Sequence, residues 1–412
     1  MRRLSFAALL AFVFSIPLED SVQFGVGRVS KVFGLLAVMA WVLAVASTGR
    51  LRRAPAALLS ASALVAWALL SYFWSAAPMD SLAKAATLVQ MLAVVWLVWD
   101  QAGDQHDLVA LMRAFLLGAF AASIITFLAS GAGQAVEGTR FSSTNSGPNN
   151  TGALLAVAVA VACYLLRADR TARWRLVYGL FLPVAMLALL LTASRTAALS
   201  LGLGLLIIVL DPRYLNAKRV MALMAVGTVA VVLVAVYLPT RSADRLGTTS
   251  SEISTGTLNG RTTYWRLSFD LFSDHPVQGV GAGAFDDQNV LLGGEGKVAH
   301  NAFMSILAEM GIVGLALFLT TIALAVQGLR NERPDLRRAW LAIGATWFVG
   351  ANALTWEVRK ITWFVFALAL VQARVTSVAR REAAEVSLPA APETGAARQT
   401  GAAQETPFAG RR

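Results

Sequence analysis

Runs of about 20 apolar residues follow one another along almost the whole chain, and this pattern limits the fold more than any other feature. A helix needs roughly that length to cross the hydrocarbon layer of a bilayer, where it must satisfy its own backbone polar groups. Hydrophobic residues make up 57% of the 412 and charged residues 14%, more apolar side chain than a water-soluble domain of this length can hide. Matching the sequence to that template gives about 12 spans. They lie near 4–18, 29–47, 54–73, 82–99, 108–130, 150–166, 176–192, 196–210, 220–238, 302–328, 339–354 and 361–375. The expected fold is all-α, a polytopic transmembrane helical bundle over residues 1–380. A large loop at 239–300 should contain short helices, and the tail 381–412, rich in Ala, Pro, Glu, Gly and Thr, should be disordered. The first span follows Arg2 and Arg3 as a signal peptide would, but no small-x-small cleavage site follows, so it reads as an uncleaved span.

Charge assigns the sides. With the N-terminus cytoplasmic, one set of short loops collects Arg2, Arg3, Arg50, Arg52, Arg53, Arg167, Arg170, Arg173, Arg175, Arg213, Lys218, Arg219, Arg330, Arg333, Arg337 and Arg338. That is the positive-inside pattern, with both termini cytoplasmic. It explains the formal net charge of +11 without a nucleic-acid partner. The opposite side holds few basic residues: Arg28, Lys31, Lys84, Arg140, Arg195, Arg359, Lys360 and five in the 239–300 loop. Cations there run against the topological bias, and an anionic ligand is a functional reason to keep them. Cys163 is the single cysteine, which excludes an internal disulfide and a cysteine-based metal site. No HxxxH, HExxH or DxD pattern occurs, so neither a metal nor a cofactor is expected.

The polar stretch from Gly260 to Gly314 carries the chemistry-bearing residues. Arg261 lies in GRTTYWRLSFDLF, whose apolar spacing at Tyr264, Trp265, Leu267, Leu271 and Phe272 predicts an amphipathic helix capped by Asn259. Arg261 then stands at a helix N-terminus, where backbone N–H groups favour anions, with Arg266 about one turn on. GVGAGAF at 279–285 follows no strand and precedes no Lys-Ser/Thr, so its glycines read as tight turns rather than a nucleotide loop. His300-Asn301 immediately precedes an apolar helix, whose dipole favours the neutral imidazole and hence a base. His106 and His275 read as structural. Arg195 sits between two spans, either snorkelling to the interface or binding phosphate through its planar fork. Glu309, inside a span, needs a partner such as an arginine or a buried amide. Thr355–Lys360 adds mixed charge on the same side.

Taken in order, Gly260-Arg261, Trp265, His275-Pro276 with the glycine run, His300-Asn301, Glu309, Gly311 and Gly314 resemble the O-antigen ligase and polymerase superfamily of bacterial inner-membrane proteins. RFSSTNSGPNNTGALL at 140–155 resembles its Pro-Asn loop, and Ser194–Ala197 its outer arginine element, so the resemblance covers roughly residues 130–375. It implies a GT-C-like glycosyltransferase acting at the periplasmic face. The implied donor is a glycan on undecaprenyl diphosphate and the implied acceptor lipid A-core, in the setting of membrane lipids. Chain length and the single late loop look most like a lipopolysaccharide O-antigen ligase. A polymerase or a protein O-oligosaccharyltransferase are the alternatives. In that scheme Arg195 and Arg261 stabilise the leaving diphosphate, while His300 either takes the acceptor proton or hydrogen-bonds the diphosphate. Arg266, Asn301, Tyr264, Trp265, Arg140, Arg359 and Lys360 flank the substrates. Direct attack inverts the anomeric carbon, without a metal. A transporter is the competing class, but it calls for an inverted repeat and broken mid-membrane helices, and the sequence displays neither.

Overall fold

The computed structural model describes residues 1–19, 23–24, 27–136, 140–143, 147–209, 260–294 and 296–387. The expected ninth span at 220–238, the first part of the 239–300 loop, Asn259 and the tail beyond 387 lie outside these residues. The helices are α1 (Arg2–Ser15), α2 (Val29–Thr48), α3 (Ala56–Leu70), α4 (Pro78–Gln101), α5 (Gln105–Gly131), α6 (Pro148–Ala168), α7 (Ala172–Leu191), α8 (Arg195–Val209), α9 (Arg261–Asp274), α10 (Phe285–Leu291), α11 (Ala302–Val326), α12 (Pro334–Ala351) and α13 (Lys360–Ser387). Every expected span within the described residues falls on one of them. Two two-residue strands, β1 (Gln23–Phe24) and β2 (Gly27–Arg28), pair antiparallel between α1 and α2, a small departure from an all-helical chain.

Among the described residues, 8 helices are long and apolar enough to cross a membrane. The shortfall from about 12 has physical causes besides the undescribed span. Helix α1 has 14 residues, short of a full crossing, and α8 is described only from Arg195 to Val209. Helix α12 carries Asp335, Arg337 and Arg338 within its 18 residues. Helix α13 runs on to Ser387, so the helix passes position 381, where the tail is expected to begin.

Helix α6 is the central element. Of its apolar window 78% is buried, against 22% for α2 at the rim. Its uninterrupted row of small and β-branched residues, Ala156 to Ala162, is buried on every face by α5, α7, α8 and α12. Helix α13 does the same for the other half, with Trp363 and Phe364 fully buried against α4 and α11. The N-terminal ends of α2, α4, α6, α8, α11 and α13 share one end of the bundle. At the opposite end Arg52 donates to the Trp99 and Ala102 carbonyls and Arg374 to that of Ala102.

One helix is broken. Gly311, inside α11, has φ 63° and ψ −164°, which interrupts the backbone ladder in an apolar segment. The chain after α9 repairs the break. The Val280 and Gly281 N–H groups donate to the Ala308 and Glu309 carbonyls at 3.0 and 2.9 Å. From the other side, the Ile312 N–H donates to the Pro276 carbonyl at 2.9 Å, and Trp67 Nε1 donates to the Met310 carbonyl at 3.0 Å. A freed polar group buried in an apolar layer costs several kcal/mol, so the repair is obligatory. Two glycines make it possible. A Cβ on Gly279 would lie 2.3 Å from the Glu309 carbonyl carbon, and one on Gly311 would lie 2.3 Å from the Val277 oxygen. The glycine run thus serves close backbone approach as well as turning, and a broken helix, unexpected from the sequence, is present.

Gly311→Ala and Gly279→Ala should each lower stability by more than the ~1–3 kcal/mol of a strained left-handed residue, because the clash adds to the strain. Gly344→Ala, where a new Cβ meets nothing within 4 Å, should leave the thermal midpoint of the detergent-purified protein unchanged or raised. Equal midpoints for Gly311→Ala and Gly344→Ala would refute the role given to the break.

Candidate functional site

The repaired break lies at the bundle end where the sequence-nominated cations gather. Arg261 is the first residue of α9, and the residue before it is Gly260 at φ 80°, with no side-chain cap. The expected Asn259 cap is replaced by a backbone one, since Gly reaches the left-handed region freely. Arg261 is half-buried. Burial lowers its pKa from the ordinary value, and the neighbouring charge of Arg195 lowers it further. The two arginines, 66 positions apart in sequence (261 − 195), are therefore brought together.

Arg195 begins α8 after a tight turn in which Ala193 takes φ 44°. The turn is held from the segment before α6. The buried Arg140 donates through Nε to the Thr192 carbonyl at 3.0 Å and through Nη2 to Asn149 Oδ1 at 2.7 Å. Ser194 Oγ donates to the same Asn149 oxygen at 2.9 Å. Arg140, expected at the substrate, thus braces the turn that presents Arg195.

His300 also has a left-handed backbone, φ 51°, directly before α11. Asn301 caps that helix: its Oδ1 accepts from the Phe303 and Met304 N–H groups at 2.9 and 3.2 Å. This places Asn301 in the scaffold, with its amide oxygen occupied. The His300 ring lies 6.1 Å from the Tyr264 ring, centre to centre. Burial depresses the His300 pKa below 6.5, and the charges of Arg261 and then Lys297 depress it further. Arg195, Arg261, Tyr264 and His300 are therefore linked as neighbours, with an imidazole whose neutral form is favoured by burial and by the Arg261 guanidinium, itself next to Arg195.

The remaining nominated residues stand elsewhere. Arg266 is exposed on α9, and Trp265, on the same helix, has a buried Nε1 without a hydrogen-bond partner. Lys360, 5% exposed, is ion-paired with Glu19. Arg359 lines a small cleft with Glu19, Ser143, Asn150 and Trp356.

Sequence reasoning did not place Lys84 here. It supplies the partner that Glu309 needs, in place of an arginine. Its Nζ lies 2.6 Å from Glu309 Oε2 and 3.0 Å from Glu357 Oε1, and donates to Ser305 Oγ at 3.1 Å. Ser305 donates to Glu357 Oε1 at 2.8 Å, and the Gly283 N–H donates to Glu309 Oε2 at 2.8 Å. Both carboxylates are almost wholly buried, Glu309 at 3% and Glu357 at 1% exposed. One lysine thus ties α4, α11, the glycine run and the turn before α13 at a single point. Its sequence signal was only its position on the side where cations are disfavoured.

Asp104, His106 and Asp107 form a group of metal-ligand type, with one oxygen or nitrogen each within 4.8 Å. It stands at the far end of the bundle, and its carboxylates already cap the start of α5: Asp104 accepts from the Asp107 N–H and Asp107 from that of Gly103.

Lys84→Met should destabilise the protein by about 3–5 kcal/mol, because it leaves two buried carboxylates without their cation. Lys84→Met combined with Glu309→Gln and Glu357→Gln should recover much of that loss. A triple variant no more stable than Lys84→Met, by thermal unfolding in detergent, would show that charge balance is not what the lysine provides.

No curated protein matches the chain. Residues 180–319 match the family model described as O-antigen ligase. That segment contains Arg195, Arg261, the glycine run, His300 and Glu309, and the match indicates ligase- or polymerase-type activity of a multi-pass membrane protein. Over this third of the chain, the resemblance to the O-antigen ligase and polymerase superfamily holds.

Proposed function

We propose that the chain is an O-antigen ligase, an inverting GT-C-like glycosyltransferase of the bacterial inner membrane that moves a glycan from undecaprenyl diphosphate to lipid A-core at the periplasmic face. The observation that carries this reading is the chain of neighbours at one end of the bundle: Arg195 and Arg261 at the starts of α8 and α9, and a half-buried His300 before α11, 6.1 Å ring to ring from Tyr264 of α9. In the reaction, the acceptor hydroxyl oxygen forms a bond to the anomeric carbon. The bond from that carbon to the phosphate oxygen breaks, and its electron pair leaves with the lipid diphosphate. The two arginines face the charge that develops there. A preorganised donor at such a position supplies on the order of 3–4 kcal/mol. The acceptor proton passes to His300, a contribution of roughly 10²–10⁴-fold. This assignment involves no metal ion.

His300→Ala and Arg261→Ala should each abolish transfer from lipid-linked glycan while the thermal midpoint stays near that of the parent. Wild-type turnover in either variant sinks the assignment. Supplying lipid A-core in one reaction and a second lipid-linked glycan in another decides between ligase and polymerase by which acceptor grows.

The depressed pKa of His300 sets the pH behaviour. In the free enzyme the neutral imidazole persists below pH 6.5, so the acid limb of kcat/KM should fall below that value. Bound diphosphate offsets the arginine field, so the acid limb of kcat should lie higher than that of kcat/KM. The unfolded chain binds this proton more readily than the folded one, so stability is lost as pH falls below 6.5. Coincident limbs at or above pH 6.5 would contradict the role of His300.

A further inference from the structure

A second cavity lies away from this cluster, between α1, α2 and α4. It is a partly open cavity of about 380 Å³, within the range of specific ligand pockets. Its origin is legible in the sequence. On α2, Ser30, Gly34 and Val38 recur every four residues and so stack along one face. On α4, Gln90, Ala93, Val94 and Leu97 follow the i, i+3, i+4, i+7 pattern of a facing stripe. Small residues at positions 30, 34 and 93 leave the space between the two helices unfilled, and the Phe12 ring of α1 closes the back, 3.1 Å from where a Gly34 Cβ would stand. From Ser30 to Val38 the helix rises about 12 Å, enough to seat much of one acyl chain.

The cavity has a polar mouth and an apolar floor. Lys31 lines it at the N-terminal end of α2 and is exposed, and the Lys360–Glu19 pair stands at the same end. Ser30 lines it too. Its side chain is fully buried, and its Oγ has no hydrogen-bond partner. A buried hydroxyl without a partner costs free energy, so its presence beside a lysine at the mouth indicates a ligand that accepts hydrogen bonds. The deeper walls, Val38, Val94 and Leu97, offer only apolar contact. An apolar void of this size forfeits dispersion contacts on all its walls, and an acyl chain restores them.

We infer that the α1–α2–α4 cavity is a binding site for an anionic acyl phospholipid, with one acyl chain against Gly34, Val38, Ala93 and Leu97 and its phosphate at Ser30 and Lys31. Of the residues expected near the glycosyl-transfer substrates only Lys360 lines this cavity, where it is paired with Glu19, and neither Ser30 nor Lys31 has a role in that reaction, so the site stands or falls separately from that reading.

The test uses the full chain in neutral maltoside detergent with added phosphatidylglycerol or phosphatidylcholine, and counts retained lipid by native mass spectrometry. The parent should retain one phosphatidylglycerol in preference to phosphatidylcholine by about five-fold, the effect of a single lysine near an anionic lipid headgroup. Lys31→Gln should remove that preference while lipid is still retained. Ala93→Phe, which fills the cavity, should lose the bound lipid of either kind, whereas Leu36→Phe on the outer face of α2 should change nothing. A phosphatidylglycerol carrying a photoreactive acyl chain should crosslink to α2 and α4 in the parent, a readout that does not depend on any variant folding. Retention unchanged in Ala93→Phe, crosslinks confined to other helices, or displacement of phosphatidylglycerol by an equimolar polyprenyl phosphate would each overturn the inference.

Discussion

The break in α11 at Gly311 is the feature on which the rest of the polar end depends. A membrane helix that stops hydrogen-bonding to itself must find donors and acceptors at once, because no water competes in an apolar layer. Here the chain that follows α9 supplies them, through Pro276, Val280 and Gly281. The exchange turns a soluble-looking loop into part of the bundle and fixes the distance between α9 and α11. Arg261 opens the first of these helices and His300 immediately precedes the second. Their separation is therefore set by the repair of the break rather than by any contact between the two side chains.

Lys84 supports the same point by a different force. Two buried carboxylates facing one ammonium group repel each other, and the arrangement holds only because Ser305 and the Gly283 N–H take part of the negative charge. The Gly283 bond links this electrostatic knot to the glycine run, so backbone repair and charge pairing reinforce each other. Asn149 performs a similar task at Arg195, collecting donors from Arg140 and Ser194 on one amide oxygen. Both supports arise from residues distant in sequence from the groups they position.

Much of this was legible in the sequence, in proportion to how local its causes are. Hydropathy placed every described span because the length needed to cross a bilayer is a property of a single segment. The α9 helix and the positions of Arg195, Arg261 and His300 at helix starts followed from apolar spacing. What escaped was long-range pairing. Glu309 was seen to need a partner, yet nothing near it in sequence marks Lys84, 225 positions away (309 − 84). The glycine run was read as turns because a close approach between backbones leaves no periodic trace. Asn301 and Arg140 were grouped with the substrate because their chemistry suits it, whereas capping and carbonyl bracing use the same donors and acceptors. Helices α1 and α12 were counted as spans on apolar content, although the length of the first and the charge of the second fall short of a full crossing.

The cations at this end of the bundle divide by what holds them. Lys84 faces two buried glutamates, Lys360 a partly buried one, and Arg140 faces carbonyl and amide oxygens. Each is a charge whose burial the fold compensates directly. Arg261 differs, because the group that most perturbs it after burial is another guanidinium, that of Arg195. Like charges brought together in a half-buried place oppose folding, and their adjacency persists when a ligand of opposite sign gains from it. Both arginines begin helices, so the backbone N–H groups of α8 and α9 add a positive field beside each of them. An imidazole in that field is kept neutral, able to accept a proton but a weak base. An anion entering there would relieve the repulsion between the arginines and strengthen the base in the same event, so in the proposed reaction diphosphate binding and activation of His300 would share one electrostatic cause.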